Sequence, residues 1–206
     1  MTSDLTLYTN PQSRGRIARW MLEEVGQPYE TVLLDYESAM KGPDYLAINP
    51  MGKVPAIKHG ETVVTEAAAI CLYLADAFPA AGLAPPADDP ARGPYYRWTL
   101  FAAGPIEAAM TNAALKVVVP PGQERMTGYG SLGHVLDALD GMLSTSDYVA
   151  GNRFSAADVY VGSVLGYGMM FGILEKRPAF ESYAGRLMGR PAARRANEID
   201  EALLKA

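Results

Sequence analysis

Residues 45–76 read YLAINPMGKVPAIKHGETVVTEAAAICLYLAD, and the rest of the chain falls into place around them. Two short runs rich in strand formers, 54–58 and 62–64, flank His59-Gly60-Glu61. That pattern predicts a hairpin closed by a tight turn. From Glu66 to Phe78 the chain turns alanine-rich, with Ile70, Leu74 and Phe78 on one stripe and Pro79 after it. A helix with a definite stop is the expectation.

Upstream, LTLYT at 5–9 alternates as a strand does, and Asn10-Pro11 breaks it. From Ser13 onward Ile17, Ala18, Met21, Leu22 and Val25 recur at helical spacing until Gly26. Arg19 and Glu23 lie one turn apart, which assigns both to the polar side of this helix. Residues 31–34 read as a second strand. The stretch 37–52 has no clean period and holds Gly42-Pro43 and Asn49-Pro50, so it reads mostly as loop with room for a short helix. The first 78 residues therefore spell β-α-β followed by β-β-α.

Downstream, residues 79–94 (PAAGLAPPADDPARGP) carry five prolines and two glycines, the clearest linker in the chain. Beyond it only helical patterns remain, over about 94–117, 123–144, 156–174, 178–189 and 192–204, with Pro105 expected to kink the first. Mixed α/β followed by helices predicts two segregated parts. The boundaries are 1–79 for an α/β domain, 80–93 for the linker and 94–206 for an all-α domain.

Composition narrows the function. Of 206 residues, 49% are apolar and 20% charged, the profile of an ordinary globular chain. A single cysteine excludes a disulfide framework and any CxxC or four-cysteine zinc site, and two histidines exclude a histidine-rich metal centre. A net charge of −5 and a pI of about 5.1 speak against nucleic-acid binding through a basic surface. No basic start followed by a long apolar run opens the chain. The longest uncharged stretch, 159–174, is shorter than the roughly 20 residues a membrane span needs, so it reads as a buried core helix. Its two GxxxG spacings, Gly162/Gly166 and Gly168/Gly172, then indicate close helix packing. A reducing cytoplasm fits the lone Cys71.

Three places could carry chemistry. Ser13 stands where a helix begins, a position where free N–H groups and the helix dipole stabilise an anion. It is also what an ordinary N-cap looks like. Lys53-Val54-Pro55 opens a strand with a proline that cannot donate to the ladder. If Val54-Pro55 is cis, the Val54 backbone groups turn outward to meet an extended peptide; the alternative is a trans edge-strand proline. Thr65-Glu66-Ala67 opens the next helix. There Glu66 could take an ammonium while the first-turn N–H groups take a carboxylate, or Thr65 could simply cap the helix. Gly128–Gly133 matches GxGxxG formally but follows no strand, and Cys71 and His134 read as structural. Ser155-Ala-Ala-Asp158 reads as a capping box.

The order of these pieces resembles the cytosolic glutathione S-transferase superfamily over nearly the whole chain. The likeness is carried by LYTNPQSRGRIARWMLEEVGQPYE (7–30), YLAINPMGKVPAIKHGETVVTEAAAICLYLAD (45–76) and GNRFSAADVYVGSVL (151–165). Within the family it is similar to bacterial members related to the theta and beta classes. The resemblance implies a thioredoxin-like N-terminal domain (βαβ-ββα), an all-α C-terminal domain, and glutathione as co-substrate with no metal. It implies that Pro55 is the family's cis-proline, that the Val54 backbone pairs the cysteinyl part, and that Glu66 and Ala67 hold the γ-glutamyl end. Lys53 suits the glycyl carboxylate, and Ser13 matches the catalytic serine, with Tyr8 at the end of the first strand its rival. The family usually has serine where this chain has Ala67, which should weaken glutathione binding by about 1 kcal/mol. A second, small hydrophobic electrophile is expected between the domains, and homodimerisation is a family expectation, as is detoxification. The beta-class cysteine and the zeta-class serine-cysteine signature are absent. Alternatives are a non-catalytic glutathione-fold module that binds ligands or proteins, and a glutathione-dependent peroxidase or disulfide reductase.

Overall fold

A computed structural model describes residues 4–205. Its elements are β1 (Leu5–Thr9), α1 (Gly15–Val25), β2 (Glu30–Leu33), α2 (Pro43–Leu46), β3 (Ala56–His59), β4 (Thr62–Thr65), α3 (Ala67–Ala77), α4 (Arg92–Phe101), α5 (Glu107–Ala114), α6 (Leu132–Leu143), α7 (Ala156–Met170), α8 (Pro178–Met188) and α9 (Pro191–Leu203). The chain forms two compact units. One runs up to Leu83 and takes in the residues from Gly189 onward; the other is Ala84–Met188.

In the first unit four strands pair in the order β2-β1-β3-β4. β1 and β2 are parallel, joined over α1, while β1–β3 and β3–β4 are antiparallel. This is the thioredoxin-like arrangement expected from the resemblance. Alternation along β1 sorts its side chains: Leu5, Leu7 and Thr9 are buried on one face, Thr6 and Tyr8 half-buried on the other. Leu7 faces Ile57 across the ladder, both fully buried, and Tyr8 faces Ala56. The Tyr8 face is covered by a small cluster of Leu34, Met40, Tyr45 and Ala56. A short 3₁₀ turn (Ala39–Lys41) precedes α2, the short helix for which the reading of 37–52 left room.

α9, which the sequence boundaries group with the helical domain of 94–206, packs instead against α1 in the first unit. The reason is electrostatic as well as apolar. Arg19, expected on the polar face beside Glu23, is 1% exposed and pairs with the equally buried Asp200 at 2.7 Å. Around it Arg16 meets Glu201 at 2.7 Å, Arg195 meets Glu23 at 3.2 Å, and Arg190 holds Glu24 through two contacts of 2.7 and 2.8 Å.

In the second unit α4 and α5 run on through a π-helical segment, Ala102–Ile106, that contains Pro105. The widened turn falls at the proline where the kink is expected. α7 is the core helix, buried continuously from Ala156 to Leu165. Each GxxxG pair contributes one packing glycine. A Cβ on Gly162 or Gly168 would collide with Leu187 or Leu174, whereas Gly166 has open space around it and Gly172 lies beyond the helix. No helix among the described residues is long and apolar enough to cross a membrane.

Candidate functional site

The end of β1 and the entry to α1 form a tightly bonded corner. Asn10 Nδ2 donates to Leu34 O at 2.9 Å, and Asn10 Oδ1 accepts the Gln12 N–H at 2.9 Å. Ser13 donates its hydroxyl to Asn10 O at 2.6 Å and accepts the Gly15 N–H at 2.9 Å. Helical geometry starts at Gly15, with Arg14 as the flanking residue, so Ser13 precedes the helix by two residues and bonds the loop that leads into it. Gly15 is where backbone meets side chain: a Cβ there would overlap the hydroxyl of fully buried Thr9.

Tyr8 lies on the opposite face of β1 from Thr9. Its ring is 5.7 Å from that of Tyr45, and both Tyr8 and Val54 pack on the Met40–Tyr45 cluster. The β1–β3 ladder ends at the Tyr8–Ala56 pair, so Pro55 adjoins its last rung on the β3 side and Asn10 follows it by two residues on the β1 side.

The Val54-Pro55 peptide is cis. Ladder pairing of β3 begins only at Ala56, and neither backbone polar group of Val54 pairs with another described residue. The preceding loop is gripped from below. Tyr45 donates its hydroxyl to Lys53 O at 2.6 Å, and Asn49 Nδ2 donates to the same oxygen at 2.7 Å. Lys41 Nζ donates to Gly52 O at 2.7 Å. Gly52 has φ +56, and a Cβ there would come within 2.7 Å of Met40 O, so only glycine fits this turn. Lys53 itself projects into solvent.

Glu66, not Thr65, is the N-cap of α3; Thr65 ends β4. Glu66 has φ +64, a conformation side chains rarely adopt, and its exposed carboxylate makes no capping bond. Backbone strain of this kind gathers where a ligand is held. Ala67 follows, buried at the first turn, where amide N–H groups lack helical partners.

The structural reading of Cys71 holds, and the Gly128–Gly133 match begins in a loop. Cys71 is fully buried, and burial pushes its thiol pKa up, away from reactivity. Gly128 and Gly130 both have positive φ in a loop that no strand precedes. His134 gives its backbone N–H to the Ser131 cap of α6. Among the described residues no group of three His, Cys, Asp or Glu is placed to hold a metal. Sequence reasoning missed Lys41, Tyr45 and Asn49; the signal available was Asn49-Pro50 within a segment too short for a full helix.

Two family models match: glutathione S-transferase, N-terminal domain, over residues 3–76, and glutathione S-transferase, C-terminal domain, over 106–191. The Escherichia coli O157:H7 protein named glutathione S-transferase GstA is 27% identical over 203 residues, 97% of each chain. Glutathione S-transferase 3 of Zea mays is 31% identical over 166 residues, 75% of this chain and 73% of its own. The solved structure of a sphingomonad glutathione S-transferase complexed with glutathione superposes with a TM-score of 0.75 at 32% identity, covering 95% of this chain and 98% of that one. On the match of both domain models and of relatives along almost its full length, the chain belongs to the glutathione S-transferase family.

Proposed function

We propose that this glutathione transferase binds glutathione along the Lys53–Ala67 side of its sheet and activates the thiol at Ser13. The observation that carries the reading is that both Val54 backbone groups are unpaired among the described residues, just ahead of the start of β3. An N–H and a C=O side by side complement an extended peptide, and the cysteinyl residue of glutathione is one. Glu66 then takes the γ-glutamyl ammonium, the Ala67 N–H takes its carboxylate, and Lys53 neutralises the glycyl carboxylate.

The chemistry follows from the Ser13 hydrogen bonds. A free thiol has a pKa near ~8.5 and is mostly protonated at neutral pH. Rotation of the Ser13 hydroxyl away from Asn10 O gives its proton a second acceptor, the glutathione sulfur. The oxygen meanwhile stays held by the Gly15 N–H, which polarises it into a better donor. Hydrogen bonding to the charged form favours the thiolate, so the thiol proton leaves to solvent. The sulfur lone pair then attacks an electrophilic carbon, a C–S bond forms and the leaving group departs with its electrons. The electrophile is read as small and hydrophobic, the protein as a cytoplasmic homodimer in detoxification, and the subclass as bacterial theta/beta-like.

Tyr8 is the second reading, favoured by one contact: it shares its packing cluster with Val54. Ultraviolet titration of the thiolate of bound glutathione separates the two. A depressed thiol pKa that returns toward the free value in Ser13→Ala but not in Tyr8→Phe supports Ser13. The reverse pattern assigns Tyr8. Binding without any depression in the wild type removes the transferase reading in favour of a binding module.

A further inference from the structure

We infer that Tyr45 and Asn49 are positioning residues for glutathione, aiming the Val54 N–H by holding the carbonyl on the other side of the same peptide plane. The inference rests on the reading that Val54 pairs the cysteinyl residue.

The Lys53–Val54 peptide is trans, in contrast to the bond that follows it. A trans peptide is planar, and its C=O and N–H point in opposite directions. Fixing one therefore fixes the other. Lys53 O receives two short hydrogen bonds, from the Tyr45 hydroxyl at 2.6 Å and from Asn49 Nδ2 at 2.7 Å. A carbonyl oxygen offers two lone pairs, and both are used. The donors come from residues 3% and 4% exposed, packed beneath the loop, so they cannot swing aside. With Lys53 O drawn inward, the Val54 N–H is turned away from Tyr45 and Asn49. It has no partner among the described residues.

The two donors are themselves held. Asn49 Oδ1 accepts the Met51 N–H at 3.1 Å, and Asn49 O accepts the Gly52 N–H at 2.8 Å, so one residue folds the turn and grips its exit. Tyr45 stacks obliquely on Tyr8. Burial pushes its phenol up to about 12, so it stays protonated, and a donor, well above neutral pH. A phenylalanine at position 45 would fill the same space and lose only the hydroxyl.

The test is calorimetric binding of two ligands to wild type, Tyr45→Phe and Asn49→Ala, with thiolate titration alongside. One ligand is glutathione; the other is its analogue with the cysteinyl C=O replaced by CH2, which cannot accept from Val54. Tyr45→Phe should weaken glutathione about three- to tenfold, the loss of one buried hydrogen bond, while the analogue binds both proteins alike. KM for glutathione should rise by the same factor with the bound-thiol pKa unchanged. Asn49→Ala should do the same more strongly, and if it fails to fold, Tyr45→Phe still decides. Equal weakening of both ligands, or none, overturns the inference. If wild type itself binds both ligands equally, the failure lies with the Val54 pairing beneath it.

Discussion

Tyr183 donates its hydroxyl to Asp158 Oδ1 at 2.8 Å, tying α8 to the capping box of α7. Three further bonds reach the same carboxylate. The Val149 N–H bonds Oδ1 at 2.9 Å, while Oδ2 takes the Ser155 N–H at 2.9 Å and the Ser155 hydroxyl at 3.0 Å. The box that reads as a local helix start is thus a junction for three segments of the second unit. Burial pushes the Asp158 carboxyl up, and the four donors pull against it without reversing the shift.

Tyr183→Phe should cost about 1–3 kcal/mol, because it leaves a buried carboxylate one donor short. The sign with pH is fixed by the raised folded pKa. Asp158 contributes most below the ordinary carboxylate range, and that contribution declines as pH rises through its folded value. Loss of Tyr183 raises that value further. Urea midpoints should therefore differ more between wild type and variant at neutral pH than at about pH 4. An equal gap at both would show that the hydroxyl does not bond the charged form.

The glycines of α7 give a contrast. A methyl at Gly168 would run into Leu174, with Met110 Cε at 3.0 Å, and the Leu174 branch point is struck as well as its tip. Gly168→Ala should destabilise by about 1–3 kcal/mol through overpacking. Gly166 has nothing within 4 Å of a Cβ, so Gly166→Ala should be neutral or stabilise by up to about 1 kcal/mol through helix propensity. Thermal unfolding of the two variants would rank them; the opposite order would contradict this packing of α7.

What the sequence made legible, and what it did not, divides by the range of the physics. β1, the hairpin and α3 are local: alternation, a Gly turn and an apolar stripe specify them, and they stand within a residue or two of the expected bounds. The early start expected for the helix at 123–144 failed because Gly128 and Gly130 take positive φ, and the regular helix begins at Leu132. Arg19 was misassigned because a charge at helical spacing looks solvated until its partner, Asp200, is brought from the far end of the chain. The site divides the same way. Ser13, Val54-Pro55 and Glu66 stand at element boundaries that the pattern marks. The grip of Tyr45 and Asn49 on Lys53 depends on how the loop between α2 and β3 closes, and no periodicity encodes that.

Three phenols should titrate late. Burial, aided by the Glu23 hydrogen bond, pushes Tyr29 up to about 12; burial and nearby Tyr8 do the same to Tyr45. Tyr183 is carried well above the ordinary phenol range by burial and Asp158. Their stabilising contribution is full below about pH 10 and is lost as pH rises through the folded values. Tyrosinate absorbance should show a late fraction near the unfolding transition, smaller by one phenol in Tyr29→Phe and in Tyr45→Phe. A single wave complete near pH 10 in the folded protein would refute it.

The seating of α9 on α1 has a consequence for how the polypeptide is made. The sheet unit is not a contiguous stretch: its closing helix is translated only after the whole of Ala84–Met188. Until then Arg19 has no Asp200, and the face of α1 that carries Arg16, Arg19 and Glu23 lacks its α9 partners on the nascent chain. A ribosome-bound intermediate that stops at the proline-rich linker therefore has all four strands but not the helix that completes their unit. Severing the gene at that linker would yield two fragments, one of them lacking its lid.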